Sequence, residues 1–229
     1  MIVGVVGESV GRKSVESLDL RAEVELISTE RLVFFSDAVV AIAITLLALE
    51  LPVPGGLPVP GGMTNNQLLM SLQANLNQYV AFLISFVVIA GHWRGHHHLF
   101  RYVARVGPIL RWNLLWLLFI VIMPFATRVL NGEGAFQVRF ILYAVVQALA
   151  AASFLLVMRG IRRHDLLKPG SPPNLIRGSS IRLIGLTLTF LLSIPLAFVT
   201  RYAYFFWIAV PLAATFVRRL TGRPQPDSD

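Results

Sequence analysis

Few residues in this sequence have side chains capable of proton, metal or ion chemistry, and they fall in two places. Two acids, Asp37 and Glu50, lie within and at the end of a long apolar run. A histidine-rich stretch extends from His92 to His98. Ionisable residues inside a membrane are costly and are functional candidates by default. The question is whether these residues move protons, bind metal, line an ion path or hold helices together.

The histidine stretch has the spacing of a metal site but lacks the remaining ligands. His92 and His96 lie four residues apart, so on a helix their imidazoles share a face, as in membrane di-iron desaturases and hydroxylases. Those enzymes need several histidine boxes, whereas this chain has 5 His and only His164 lies outside the stretch. We therefore predict no metal site, and interpret the histidines as a hydrogen-bond network or a proton-sensitive element. Asn113 can join such a network.

The sequence contains no motif for soluble catalysis. It has no Gly-x-x-x-x-Gly-Lys phosphate loop, no Gly-x-Ser-x-Gly elbow, no His-Glu-x-x-His and no Thr-Val-Gly-Tyr-Gly potassium filter. The absence of cysteine excludes disulfides, thiolate nucleophiles and Cys-based metal sites. We predict no catalytic residues, no cofactor and no enzyme activity.

Composition indicates an integral membrane protein. Of the 229 residues 55% are hydrophobic and 14% are charged, against about 25% charged in an ordinary globular domain. A membrane-spanning helix needs about 17–25 mostly apolar residues, and six such runs occur, so the predicted fold class is all-α with six transmembrane helices. The runs are about Leu32–Leu51, Leu76–Trp93, Arg111–Arg128, Phe140–Met158, Leu183–Thr200 and Tyr202–Val217.

The basic residues predict the orientation of these spans. If the N-terminus is cytoplasmic, all but three of the 20 Lys and Arg residues lie on the cytoplasmic side. The exceptions are Arg128, Arg139 and Arg201. This is the positive-inside pattern, so both termini are predicted to be cytoplasmic in a multi-pass protein of the cell membrane. Topology and contact with anionic lipid account for the net charge of +8, so no nucleic-acid partner is predicted.

These predictions divide the chain into three segments. Residues 1–30 are predicted to be a cytoplasmic extension, because they lack the basic start and cleavage site of a signal peptide. Residues 31–220 form the transmembrane domain, and residues 221–229 a disordered tail.

The last four spans are predicted to face lipid or to pack, because they have almost no polar atoms. Tyr202, Tyr204 and Trp207 open the last of them, as an interfacial aromatic belt would.

One face of the first span is regularly apolar. Ile42, Thr45, Leu46 and Leu49 recur at i, i+3, i+4 and i+7, so they share one side of a helix. By periodicity alone such a stripe is ordinary core or lipid-facing surface. Thr45 can bond the backbone of its own helix.

The two acids of this span also have structural interpretations. Asp37 lies near the predicted helix N-terminus, where the macrodipole favours an acid, and it can pair with Arg31 or with a neighbouring helix. Glu50 lies at the interface, as a solvated or mouth-lining acid does.

Several motifs in the first three spans occur together. The first span contains Arg31-x-x-x-Phe35-Ser36-Asp37 and then Ala41-Ile42-x-x-Thr45-Leu46-Leu47. The next two contain Trp93-x-x-His96-His97-x-Leu99-Phe100, Asn113-Leu114-Leu115 and Pro124-Phe125-Ala126-Thr127. Together they resemble the transmembrane protein 175 family, the lysosomal-type potassium channels and their prokaryotic relatives. The resemblance is clearest over about residues 31–127 and mainly hydropathic beyond them.

The resemblance implies an architecture and a pore. Animal members have two fused six-helix repeats, whereas this chain has room for one, as in the prokaryotic form whose four subunits surround a central pore lined by the first helix. Ile42 would form the narrowest apolar ring, with Leu46 and Leu49 as further rings toward the outside. Such a constriction can gate by dewetting. Ile42 and Thr45, which adds a hydroxyl layer, would give a preference for potassium.

The resemblance also implies a network that holds the pore helices in place. Its members would be Arg31, Phe35, Ser36, Asp37, Trp93, His96 or His97, and Asn113. The Trp-x-x-His register favours His96. Glu50 would lie at the outer mouth, which the 52–78 loop leaves without positive charge and so open to cations.

The predicted function is therefore a homotetrameric, leak-type, potassium-selective channel with a hydrophobic gate, and its permeant partner is the potassium ion. The principal alternative is a proton-coupled secondary transporter that uses Asp37 and the histidines. A transporter of this size usually shows inverted repeats or broken helices, whereas the first span is continuous and apolar. A non-conducting membrane scaffold is the third candidate.

Overall fold

The computed structural model describes residues 28–54, 62–200 and 203–207. Regular structure in these ranges is helical. The α-helices are α1 (Ser28–Leu49), α2 (Asn65–Ala74), α3 (Leu76–Phe100), α4 (Leu110–Leu130), α5 (Phe136–Arg163) and α6 (Leu175–Val199), and short 3₁₀ turns occupy Gly107–Ile109 and Ala203–Phe205. Nearly all of the predicted N-terminal extension, most of the predicted last span and the tail lie outside the described residues.

Five of the described helices, all except α2, are long and apolar enough to cross a membrane. In lipid a backbone N–H or C=O can pair only within a helix or a closed barrel, so runs of Leu, Ile, Val and Phe of this length form helices. The predicted all-α membrane fold is confirmed. The sixth predicted span can be described only at residues 203–207.

Helix α3 is longer than the sequence predicts. Its predicted end is Trp93, because a histidine-rich stretch follows, yet the helix continues to Phe100. His92 and His96 are buried inside the bundle, and the ring of His96 stacks on Phe100 with 4.0 Å between centroids. His92 and His96 therefore belong to the packed part of α3.

Helix α2 has no counterpart in the sequence analysis. Its start is a capping box: Thr64 Oγ1 accepts a 3.3 Å bond from the backbone N–H of Gln67, and the Gln67 side chain accepts a 2.9 Å bond from the backbone N–H of Thr64. No residue of α2 is buried. Leu69 and Met70 are exposed, so an apolar part of α2 has no cover among the described residues.

The core lies between α4, α5 and α6. Its largest fully buried side chains include Trp116, Phe154 and Phe190. Helix α5 packs tightly on the 3₁₀ turn before α4 at Gly160, where a Cβ atom would lie 2.6 Å from Ile109 Cγ2. The missing side chain at Gly160 is therefore what permits this contact.

Trp207 belongs to this core, so its predicted place in an interfacial belt is wrong. It is 5% exposed, and its ring lies 4.7 Å from that of Phe140 and 4.8 Å from that of Tyr143, centroid to centroid. Its Nε1 donates a 2.7 Å hydrogen bond to Ser193 Oγ. An indole whose N–H has a partner can be buried without an unpaired donor. Tyr202 lies outside the described residues.

Candidate functional site

Helix α1 has one face that the described part of the chain leaves exposed. Ile42 is 59% exposed, Leu46 39% and Leu49 79%. Thr45 is also exposed, and its hydroxyl donates a 2.8 Å hydrogen bond to the carbonyl of Ile42. Because its proton is used inside the helix, the Thr45 oxygen presents lone pairs outward. The stripe marked by periodicity is thus a row of uncovered apolar side chains with one hydroxyl oxygen among them.

The opposite face of α1 packs against the rest of the helical bundle. Val40, Ala43 and Leu47 are each 1% exposed, and they recur at the spacing of a helix face. At the start of the helix Thr29 Oγ1 donates a 3.2 Å bond to the carbonyl of Ala104, in the segment between α3 and α4. Helix α1 is therefore seated along its length with the stripe turned away from its own bundle.

A buried chain of hydrogen bonds links α1, α4 and α3. Asn113 Nδ2 donates to Ser36 Oγ at 3.0 Å, and Asn113 Oδ1 lies 3.0 Å from His96 Nε2. Since the amide nitrogen of Asn113 donates to Ser36, its oxygen is the acceptor and His96 Nε2 carries the proton. All three residues are fully buried. Of the two adjacent histidines, His96 is the one that bonds Asn113.

Asp37 is bound by the same region of α3. Trp93 Nε1 donates a 2.9 Å hydrogen bond to Asp37 Oδ1. The suggested pairing of Asp37 with Arg31 is absent within the part of the chain that the structure describes; Arg31 is exposed and bonds neither Ser36 nor Asp37. Asp37 therefore fixes α1 to a neighbouring helix, the second of the two pairings that the sequence allows.

Two further predicted network residues lie outside this hydrogen-bond chain. Phe35 is 52% exposed on the surface of α1. The ring of His97 lies 5.5 Å from that of Trp93, centroid to centroid. In the part of the chain that the structure describes, they lie next to the network without a hydrogen bond to it.

Trp116 is a network residue that sequence reasoning missed. Its Nε1 donates a 3.3 Å hydrogen bond to His92 Nδ1, and its ring stacks on His96 at 4.7 Å. The two histidines thus have different hydrogen-bond partners: His92 bonds Trp116, and His96 bonds Asn113. Among the described residues His92 Nε2 and His96 Nδ1 have no hydrogen-bond partner. The available signal was an indole N–H in the middle of an apolar span, which needs an acceptor when buried.

A second buried polar cluster lies farther along the bundle, so the expectation of almost no polar atoms in the later spans is wrong. Ser85 Oγ lies 3.0 Å from Tyr143 OH and 2.8 Å from Thr127 Oγ1. Gln147 Nε2 donates to Tyr143 OH at 2.8 Å. Each span contributes only one or two of these residues, and they form a cluster only when the helices pack.

Glu50 also differs from the sequence-based expectation. Arg128, at the end of α4, forms an ion pair with it, with 3.2 Å between Arg128 Nε and Glu50 Oε2. The expected mouth without positive charge is therefore wrong at this point. The two residues lie 78 positions apart, and the loop composition that led to the expectation holds no information about Arg128.

The segment that contains the first three long helices is similar in sequence to known proteins. The family model described as endosomal/lysosomal potassium channel TMEM175 matches residues 31–124, which include nearly all of α1, the whole of α3 and most of α4. A potassium channel of Streptomyces collinus is 35% identical over 172 residues, which are 72% of this chain and 81% of that protein. The chain belongs to the TMEM175 family. The resemblance stated from the motifs is confirmed.

The TMEM175 relatives of this chain include a bacterial protein of solved structure and animal proteins. The crystal structure of a lysosomal potassium-selective channel TMEM175 homolog from Chamaesiphon minutus matches with a TM-score of 0.62 and 27% identity, over 84% of this chain and 97% of that one. The endosomal/lysosomal proton channel TMEM175 of Danio rerio is 35% identical over 106 residues, 44% of this chain and 20% of that protein. The TMEM175 family is one of channels and not of enzymes. The chain is a multi-pass membrane protein of this family.

Proposed function

We propose that this protein is a leak-type, potassium-selective channel in which four copies surround a pore lined by α1. Ile42 forms the narrowest ring, and Leu46 and Leu49 form further rings toward the outside. Potassium crosses without a carbonyl filter. Residues 31–220 make up the channel domain of each subunit.

The uncovered stripe of α1 is the observation that supports this proposal most strongly. A helix whose Val40 and Leu47 are buried while Ile42 and Leu49 are open has one face on its own bundle and one free for copies of itself. In a closed ring of subunits such helices meet at the symmetry axis. The names of the Streptomyces and Chamaesiphon relatives as potassium channels agree with ion passage there.

Selectivity follows from the chemistry of the stripe. Potassium holds its hydration shell less tightly than sodium, so a narrow apolar ring that forces partial dehydration penalises sodium more. Thr45 offers an oxygen next to this ring because its proton is bound to the carbonyl of Ile42. We expect a preference for potassium that is milder than in a carbonyl filter, and closure by dewetting when the ring narrows.

The polar network positions the pore helix. Ser36 and Asp37 are consecutive in α1 and bond to Asn113 and Trp93, which lie on α4 and α3. Two bonds to two helices fix both the height and the rotation of α1. In the proposed orientation this network lies toward the cytoplasm, as do both termini, and Glu50 with Arg128 lies at the outer end in the cell membrane.

Recording from purified protein in a planar bilayer tests the channel class. We expect unitary currents and a reversal potential that moves toward the potassium equilibrium potential in a potassium–sodium gradient. Mass measurement of the detergent-purified protein should give four subunits. Flux without unitary currents, or a monomer or dimer that conducts, would contradict the proposal. The absence of both currents and potassium flux would favour a non-conducting scaffold.

A proton-coupled transporter is the second candidate. The observation that favours it is the pair of buried imidazole nitrogens, His92 Nε2 and His96 Nδ1, without partners among the described residues. The Danio rerio relative is named as a proton channel. A transporter would couple potassium to protons, so a potassium gradient applied at equal pH would move protons in a fixed ratio, and the rate would saturate with potassium concentration. We expect a potassium flux at equal pH that moves no stoichiometric amount of protons.

A further inference from the structure

A cavity of about 570 Å³ opens at the end of the bundle where α3 and α5 begin and α4 and α6 end. Glu50 lies at the same end of the bundle. The wall of the cavity combines aromatic rings, amide side chains and one cation. The lining residues that matter here are Asn77, Gln78, Asn131, Arg139, Tyr143 and Trp207.

Arg139 is only partly satisfied in this wall. Its Nη1 donates a 3.0 Å bond to the carbonyl of Leu130, whereas its Nε is buried and has no hydrogen-bond partner among the described residues. No carboxylate lies among the described residues that line the cavity. Arg128 at the same end is different, because it is paired with Glu50. Arg139 thus carries a positive charge in the first turn of α5, where the helix dipole disfavours a cation.

The surrounding groups supply further donors. Tyr204 OH donates to Asn77 Oδ1 at 3.3 Å, so the NH₂ group of Asn77 is the end left to donate. A guanidinium beside amide N–H groups matches the oxygens of a phosphate group, which accept several charge-assisted bonds at once.

The position of the cavity points to lipid as the source of that phosphate. Ala74, the last residue of α2, lies at its edge, and α2 is apolar and exposed at Leu69 and Met70. Val199, at the end of α6, also lines it and is exposed. A diacyl lipid can place its phosphate on Arg139 while its chains cover these side chains.

We propose that this cavity binds the phosphate headgroup of a membrane phospholipid through Arg139, with Asn77 as a second donor. The site lies apart from the stripe of α1, so the proposal goes beyond ion passage and stands independently of it. Arg139 is one of the three basic residues that break the positive-inside pattern, and a lipid phosphate gives it a counter-charge.

Thermal unfolding of the full chain in a neutral detergent, with native mass spectrometry of the same samples, tests the site. The probes are dioctanoyl phosphatidylglycerol, dioctanoylglycerol, which has the same chains without phosphate, and inorganic phosphate. We expect saturable stabilisation and a discrete adduct with phosphatidylglycerol alone. Arg139→Gln should weaken binding roughly 10–100-fold, as loss of a charged hydrogen-bond donor does. The matched control Arg128→Gln, at the same end but outside the cavity, should bind as the wild type does.

Each contrary result overturns the proposal in a different way. Equal stabilisation by dioctanoylglycerol would make the cavity an acyl-chain groove, and equal stabilisation by inorganic phosphate would make it a site for a soluble anion. Equal binding by Arg139→Gln and wild type would exclude Arg139. If Arg139→Gln does not fold, Asn77→Ala at an exposed position replaces it; we expect affinity to fall roughly 2–10-fold, and unchanged affinity would refute the site.

Discussion

Trp93 Nε1 donates a 2.9 Å hydrogen bond to Asp37 Oδ1 and so joins α3 to α1. One residue earlier, Ser36 is bound by Asn113 of α4. Consecutive side chains of one helix point about 100° apart, so these two bonds together define the rotation of α1. The direction in which Ile42 faces depends on that rotation.

Asp37→Asn should therefore reduce stability and assembly more than it changes selectivity. The amide has the same shape but no charge, and a hydrogen bond to a charged group contributes about 1.5–3 kcal/mol. We expect a lower melting temperature and a smaller tetramer fraction on gel filtration in detergent. Glu133→Gln, an exposed acid in the loop before α5, is the matched control. A tetramer of normal melting temperature with altered selectivity would place Asp37 in the ion path instead.

The bond between Ser36 and Asn113 can be measured by a double-mutant cycle. Ser36→Ala, Asn113→Ala and the double variant should give a coupling energy of roughly 0.5–1.7 kcal/mol, the range for interhelical hydrogen bonds in membranes. Thr187, whose hydroxyl donates to the carbonyl of Leu183 in its own helix, supplies the control: Ser36→Ala with Thr187→Val should be additive. Additivity between Ser36 and Asn113 themselves would contradict a bond that positions α1.

The ion pair of Glu50 and Arg128 should set the charge at the outer mouth. Arg128→Gln leaves Glu50 unpaired and should raise potassium conductance at low salt, because a negative mouth concentrates cations. Glu50→Gln should lower it, and the double variant should lie near the wild type. All differences should vanish near 1 M salt, where charges are screened within about 3 Å. Single-channel conductance measured against salt concentration checks this, and salt-independent changes would exclude an electrostatic cause.

Gly160 tests the packing of α5 on the turn before α4. A Cβ atom there would lie 2.6 Å from the fully buried Ile109, so Gly160→Ala should destabilise the protein by about 1–3 kcal/mol. Gly178→Ala in α6, where nothing lies within 4 Å, is the matched control and should be neutral or stabilising by up to ~1 kcal/mol. Unfolding midpoints in detergent compare the two. Equal midpoints would mean that α5 shifts away from Ile109 at no cost.

The sequence predicts the long helices and the face of α1 because both depend on local pattern. Apolar runs of spanning length must be helical in lipid, and the spacing of Ile42, Leu46 and Leu49 places them together on any helix. The motif around Ser36 and Asp37 likewise identifies residues that the fold brings to α3 and α4. The helices and the stripe each need only one segment of chain, whereas the network is predicted from the family resemblance of motifs in three spans.

Contacts between segments that are distant in the chain cannot be predicted from local sequence pattern. Tryptophan is typical of membrane interfaces, but Trp207 is a core residue because it bonds Ser193 and packs on the rings of Phe140 and Tyr143. The pairing of Arg128 with Glu50 depends on where two helices end. Helix α3 passes through its histidines because Trp116 and Asn113 provide partners from another helix.

The most direct test of the proposed pore is potassium and sodium flux into liposomes that contain the wild type or Ile42→Asn, with a proton ionophore to balance charge. An amide at the narrowest ring should hold water there, so total flux should rise and the preference for potassium should fall by roughly 5-fold, equivalent to about 1 kcal/mol. Leu118→Asn on α4, exposed to a similar degree at 52%, should leave both quantities unchanged. Flux and selectivity in Ile42→Asn that equal those of the wild type would show that the constriction lies elsewhere.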